Sequence, residues 1–345
     1  MRKILRILKK LNVGIIGLGV GEKHIIGYES EKRCSIFKLC DFDKKKLMDV
    51  SRRHNNYNTT MDPNEILEDP KIDVVSIASY DNFHAKQVIK AIENGKHVFV
   101  EKPICLNQKE LSSIVKTMNN NPKIKLSSNF VLRKVTKFEK LKEEIEKKKF
   151  GKIYYLEGDY NYGRIHKLTR GWRGEIPFYS VMHGGGIHLI DLLKWLTKKR
   201  VVEVIATGNK ITTKNSNFKH LDMVTSLLKF EDDIIGKVTA NFGSVTPHHH
   251  RLSLYGSDCT FYNTHESVIY YNERGDAENR IELEYKRDNS QKKNVLKSFV
   301  SSILDNSKPD VSGGEVIDVM AISLAIEKSI ISKKWEKVDY MNCIN

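Results

Sequence analysis

The feature that most constrains this chain is a glycine turn, Gly17-Leu18-Gly19-Val20-Gly21. It stands between a short apolar run, Val13–Ile16, and a stretch from Glu22 to Glu29 that reads as a helix start. A buried strand that turns at once into a helix predicts an α/β unit. Glycine, lacking a β-carbon, lets the turn be tight and leaves the helix-terminal amides open to an anion. A second apolar stretch, Ser35–Cys40, ends in Asp41, 22 residues after Gly19. In a dinucleotide fold that is where a carboxylate bonds the adenosine ribose. An ordinary strand-to-helix turn also carries glycines, but the flanking elements and Asp41 favour a cofactor site. The usual third glycine would stand at position 22; this chain has Glu22 there and Gly21 one step early. Asp41 favours NAD, because a carboxylate repels a 2'-phosphate, whereas Lys44, Lys45 and Lys46 close behind it leave NADP open.

From Asn12 to about Ser128, short apolar runs (Val13–Ile16, Ile36–Cys40, Val74–Ala78, Val98–Val100, Ile124–Ser127) alternate with amphipathic stretches (Asp43–His54, Asn82–Asn94, Gln108–Asn119). This predicts a doubly wound parallel sheet with helices on both faces, residues 1–128. Beyond it the pattern predicts a helix over Val135–Lys149, a strand over Ile153–Tyr160 and a helix after Gly186. Bunched strands are then predicted at Val201–Gly208, Met223–Phe230, Ile234–Phe242, Arg251–Tyr255, Thr260–Tyr262, Val268–Tyr271 and Ile281–Tyr285. Such bunching predicts an α+β domain, residues 129–345, with a large, mostly antiparallel open sheet. Two late helices, Asn294–Leu304 and Glu315–Ser332, close the chain, the last able to pack back on the first domain.

Composition excludes several function classes. With 345 residues and 40% hydrophobic content the chain can bury two cores. No apolar run approaches the roughly 18 residues of a membrane span, and the basic stretch Met1–Lys10 lacks a small-residue cleavage site, so neither a membrane partner nor a signal peptide is expected. Cys34, Cys40, Cys105, Cys259 and Cys343 have no paired spacing, which predicts a reducing cytoplasm and no structural metal. The net charge of +15 raises nucleic-acid binding, but the lysines are dispersed, as over Lys140–Lys149, where acidic residues interleave them. A solvated helix face explains them better, and no nucleic-acid partner is expected. The charge can still draw in an anionic substrate.

Chemistry enters with Glu101-Lys102-Pro103, directly after His97-Val98-Phe99-Val100. The residue before proline is pushed away from helical geometry, so Lys102 projects from a strand end. A cation there can orient a hydroxyl and stabilise a developing alkoxide; a surface lysine is the plain alternative. A nucleotide-binding half, a strand-rich half and this tripeptide together resemble the Gfo/Idh/MocA oxidoreductases, the family of glucose–fructose oxidoreductase and inositol dehydrogenase, from Val13 to about Trp335.

The resemblance implies site residues. Ser79-Tyr80-Asp81-Asn82-Phe83-His84 is similar to the family's Thr-Pro-Asn-x-x-His, with Tyr80 at the proline. This implies that Ser79, Asn82, His84, Glu101 and Lys102 line the cofactor with Gly17, Gly19, Gly21 and Asp41. Asn129, Arg133, Trp172 and Arg173 resemble substrate-facing positions, although a core tryptophan accounts equally well for Trp172. In His183-Gly184-Gly185-Gly186-Ile187-His188-Leu189-Ile190-Asp191 the resemblance implies a catalytic His-x-x-Asp on one helix face. His188 is suited to taking the alcohol proton and Asp191 to holding its tautomer. The family's aspartate, four residues before the histidine, is replaced by Gly184, and neighbouring His183 is the candidate to assume part of its role. His248-His249-His250 reads as a loop near the site, not a metal centre.

By this resemblance the expected activity is NAD- or NADP-dependent oxidation of a secondary alcohol on a sugar, sugar nucleotide or cyclitol. The alternatives are recycled NAD in an elimination or epimerisation, and a non-catalytic sensor. The exposed face of the second sheet is expected to join copies into a homodimer or homotetramer.

Overall fold

Residues 10–275, 278–285 and 291–343 are described by a computed structural model, so of the basic stretch Met1–Lys10 only Lys10 is included. The first half runs β1 (Leu11–Ile16), α1 (Gly21–Glu29), β2 (Cys34–Cys40), α2 (Lys44–Arg53), β3 (Thr59–Thr60), α3 (Asn64–Leu67), β4 (Val74–Ile77), α4 (Asp81–Glu93), β5 (His97–Val100), α5 (Gln108–Asn120) and β6 (Leu126–Ser128). All six strands are parallel, in the order β3-β2-β1-β4-β5-β6. Val13, Ile15, Val74, Val75, Val98 and Phe99 are fully buried, because helices cover both faces and each central strand must be apolar on both sides. The order reverses between β1 and β4, so a crevice opens beyond their carboxyl ends.

The second half runs α6 (Thr136–Glu146), β7 (Ile153–Asn161), α7 (His166–Thr169) and a π-helical turn, Met182–Gly186, continuous with α8 (Ile187–Thr197). There follow β8 (Val201–Asn209), β9 (Met223–Phe230), β10 (Ile235–Asn241), β11 (His249–Gly256), β12 (Thr260–Asn263), β13 (Ser267–Tyr271), β14 (Arg280–Glu284), α9 (Gln291–Leu304), α10 (Gly313–Ser332) and β15 (Glu336–Lys337). These strands form one sheet, β14-β13-β12-β11-β7-β10-β9-β8-β15, antiparallel at every pairing except β7 with β10. Helix α8 lies on its inner face, with Leu189 against Gly158 of β7. Helix α9 returns to the first half: Leu296 packs on Gly27 of α1, and the Phe299 and Phe99 rings stand 5.6 Å apart. A capping box, Ser312 with Glu315, starts α10.

The loop expected over His248–His250 is a correction: β11 begins at His249, and His249 and His250 pair with Asn161 and Tyr160 of β7. The ladder carries the strand past the point where apolar alternation stops. Strands β3 and β15, two residues each, are too short to leave a periodic signal. Among the described residues no helix is long and apolar enough to cross a membrane.

Candidate active site

The glycine turn fits a dinucleotide. Gly17 has φ +87°, and a Cβ there would lie 2.3 Å from the Ala78 carbonyl oxygen, so only glycine turns the chain this tightly. A Cβ on Gly19 would meet nothing within 4 Å, which leaves the head of α1 open for phosphate to approach its amides. Gly21 makes the close helix–strand contact one residue early, its Cβ position 3.2 Å from Ile15 and 3.4 Å from Ala78. Glu22 therefore turns outward to Arg53 and His54, at 2.9 and 3.3 Å. Asp41, at the end of β2, accepts from the Leu18 amide at 2.7 Å and the Asp43 amide at 2.9 Å. Lys46 Nζ lies 3.4 Å from the same carboxylate.

Across the crevice, His84 is buried and ties two loops together. Its Nδ1 is 2.7 Å from the Pro103 carbonyl and its Nε2 3.0 Å from that of Ser79. Ser79 turns its hydroxyl to Gln87, donating at 2.7 Å, while Asn82 is exposed near the head of α4. Asp81, the first residue of α4, has its carboxyl raised by burial, with His84, Lys102 and Arg173 opposing the rise.

Glu101 and Asn129, expected to line the cofactor and the substrate, are both largely buried, 8% and 2% exposed, and are bonded to each other. His24 of α1 bridges Ser76 Oγ (2.9 Å) and Glu101 Oε1 (3.1 Å), and Asn129 Nδ2 donates to that same oxygen at 2.7 Å. The network clamps the ends of β4, β5 and β6 to α1. No motif announces His24; only its approach through space does.

Lys102 leaves β5 through a cis peptide to Pro103 and donates Nζ to the Gly184 carbonyl at 2.5 Å. Gly184 stands in the π-helical turn, one turn before His188. A Cβ on it would lie 2.0 Å from Tyr179 Oη and 2.6 Å from Cζ. The phenol thus fills the space where the resemblance implies an aspartate. Burial pushes Tyr179 far above the ordinary phenol value, so it keeps its proton, and Arg173 Nε donates to its oxygen at 3.1 Å. The Arg173 guanidinium lies 4.6 Å from the Trp172 ring centre. Trp172 in turn stacks on Tyr80, 4.7 Å between centres and 11° between planes, and so joins the two halves.

His188 is the second residue of α8, with 8% of its surface exposed. The rings of Tyr160, Phe130 and His250 stand 6.3, 6.5 and 5.8 Å from its own. Asp191, expected to orient it, is a correction: its fully buried carboxylate accepts from Arg133 Nε at 3.0 and 3.1 Å and from a terminal guanidinium nitrogen at 2.6 Å. Arg133, expected to face substrate, is corrected with it, since its other terminal nitrogen goes to the Asp310 carbonyl and Glu315, both at 2.7 Å. His183 faces α10, its Nδ1 2.7 Å from Ser323 Oγ, and burial lowers it to about 3, so it stays neutral and does not take the place of the missing aspartate. Among the described residues no group of three or more His, Cys, Asp or Glu side chains could hold a metal ion.

The same architecture recurs in known proteins. Residues 11–130 match the model of an oxidoreductase family with an NAD-binding Rossmann fold, and residues 138–262 match that of the GFO/IDH/MocA C-terminal domain. The chain is 25% identical to a myo-inositol 2-dehydrogenase of Thermotoga maritima, over 95% of this chain and 99% of that one. It is 27% identical to a scyllo-inositol 2-dehydrogenase (NAD(+)) of Bacillus subtilis, over 62% of each. In fold it is similar to a levoglucosan dehydrogenase solved with NADH, at a TM-score of 0.86 and 20% identity, covering 96% of this chain and all of that one. With both halves matched to one family and the glycine turn shaped to take its cofactor, the chain belongs to the Gfo/Idh/MocA oxidoreductases.

Proposed function

We propose that the chain is an NAD-dependent dehydrogenase of a secondary alcohol on a sugar, sugar nucleotide or cyclitol. The observation that carries this reading is the Lys102–Gly184 bond, which sets a cation of the nucleotide half one helical turn from His188 of the sheet half. NAD, when bound, accepts the hydride of the carbinol carbon. His188 takes the hydroxyl proton, its ring held between Tyr160 and Phe130. Lys102 stabilises the negative charge that builds on the oxygen. Trp172 and Arg173 flank the substrate, and the Asp41 carboxylate at the end of β2 supports NAD over NADP. The inositol, levoglucosan and D-glucoside dehydrogenases among the relatives support the substrate class.

The test is reduction of NAD by myo-inositol, scyllo-inositol, levoglucosan and a methyl glucoside, monitored through reduced-nicotinamide absorbance. Lys102→Ala and His188→Ala are each expected to lower kcat by about 10²–10⁴-fold with NAD affinity retained. Net product without cofactor reduction would replace this reading with recycled NAD. NAD binding without turnover on any substrate would replace it with a sensor.

Self-association is part of the proposal. On the outer face of the nine-stranded sheet, Leu227 and Ile235 are exposed beside part-buried Ile205, Tyr155, Tyr255 and Tyr262. Such a patch supports a homodimer or homotetramer. Sedimentation at two or four times the monomer mass is expected, with Leu227→Asp shifting it to one; a parent that stays monomeric at high concentration removes the idea.

A further inference from the structure

Two histidines of the β11 segment lie behind His188. Alternation along the strand carries His248 and His250 to the inner face, while His249 turns outward against His265, 4.1 Å between ring centres. The His250 ring centre is 5.8 Å from that of His188 and 4.8 Å from that of His248, edge to face at 86° and 78°. Tyr160 packs on both His248 and His250 at 5.1 Å. His248 follows the exposed stretch Val245-Thr246-Pro247 and so ends the row near solvent.

Three other polar groups around His188 do not lead outward. Asp191 is sealed to Arg133, His183 faces Ser323, and burial lifts the Tyr160 phenol far above neutral pH. Burial, and then charge from His188, His248, His249 and Lys137, push His250 well below the ordinary histidine value. His250 therefore stays neutral at working pH, and it can carry a proton only by taking one at one ring nitrogen as it gives one up at the other.

We infer that the proton taken up by His188 leaves the site through His250 and His248, a step that rests on the oxidation proposed above. The alcohol loses its hydride to the nicotinamide and its hydroxyl proton to His188, leaving a carbonyl. His188 then gives a proton to one nitrogen of His250 as the other nitrogen releases its own to His248. His248 delivers it to water, and all three rings end neutral.

The test uses His250→Phe, which keeps an aromatic ring in place, and His248→Gln, at the end of the row nearer solvent, each checked for a parent-like melting point. Each is assayed at fixed pH in dilute buffer, with whichever of the four substrates turns over fastest. A fall in kcat of about 10-fold is expected, restored by added imidazole, with KM and NAD affinity unchanged. Ring NMR of the cofactor-free chain should also show His250 neutral at pH 6. Parent-like kcat in both variants overturns the relay and leaves the oxidation standing. So does a loss that no buffer restores and that comes with raised KM, which would make the pair a substrate-binding surface. A parent that reduces no NAD with any substrate overturns both.

Discussion

Asp191→Ala is expected to lower the stability of this protein by about 3 kcal/mol while leaving the chemistry of the folded molecules largely intact. Asp191 and Arg133 are both almost wholly enclosed, 0% and 3% exposed, and three hydrogen bonds join them. Burial raises the Asp191 carboxyl and the Arg133 fork opposes it, while Asp191 and Glu315 more than offset what burial takes from the guanidinium. A guanidinium does not shed its proton at working pH, so the pair stays ionised. Removing the carboxylate leaves Arg133 buried with one partner fewer, and breaking such a pair costs about 3–5 kcal/mol. The lower end applies because Glu315 and the Asp310 carbonyl remain bound. Thermal unfolding should show a drop of several degrees, and Arg133→Met combined with Asp191→Leu should recover most of it. A normal melting point with kcat reduced a hundredfold would return Asp191 to the catalytic role its spacing suggested.

Gly184→Asp, which installs the family's side chain, is expected to damage the protein and not improve it. Its Cβ would stand 2.0 Å from Tyr179 Oη, at the tip of a rigid ring that cannot swing aside. That ring is wedged among Trp172, Phe218 and Phe242, with centres 6.1, 6.0 and 6.3 Å away, and is held by Arg173. Overpacking of this kind costs roughly 1–3 kcal/mol. The backbone shift that relieves it also moves the carbonyl that receives Lys102, so kcat should fall with stability. In a Tyr179→Ala background the clash is gone, so adding Gly184→Asp there should lower the melting point much less than it does in the parent. Full stability in the single variant would mean that the phenol does not occupy this space.

Much of the fold was legible from residue order. The dinucleotide half announces itself through runs apolar on both faces and through Gly17 and Asp41, and β9 spans Met223–Phe230 as its alternation predicts. The meeting of Lys102 with the segment around Gly184 could be anticipated from two motifs taken together. Partner choice could not. Three-residue spacing puts His188 and Asp191 on one helix face but is silent about Arg133, 58 residues upstream, which takes the carboxylate. Tyr179 carries no motif at all; its place is visible only as the obstruction a side chain at 184 would meet. The pairing of His248 with His250 had a signal, the two-residue period of a strand, hidden because three identical residues show no alternation.

One oxygen, Glu101 Oε1, receives hydrogen bonds from both His24 and Asn129, and the next residue along the chain is Lys102. His24 belongs to α1, the helix whose head beside Gly19 is open for phosphate to approach. The lysine's anchorage and the phosphate cradle are therefore one mechanical part. A substitution at His24, which need touch neither substrate nor cofactor, would loosen both at once.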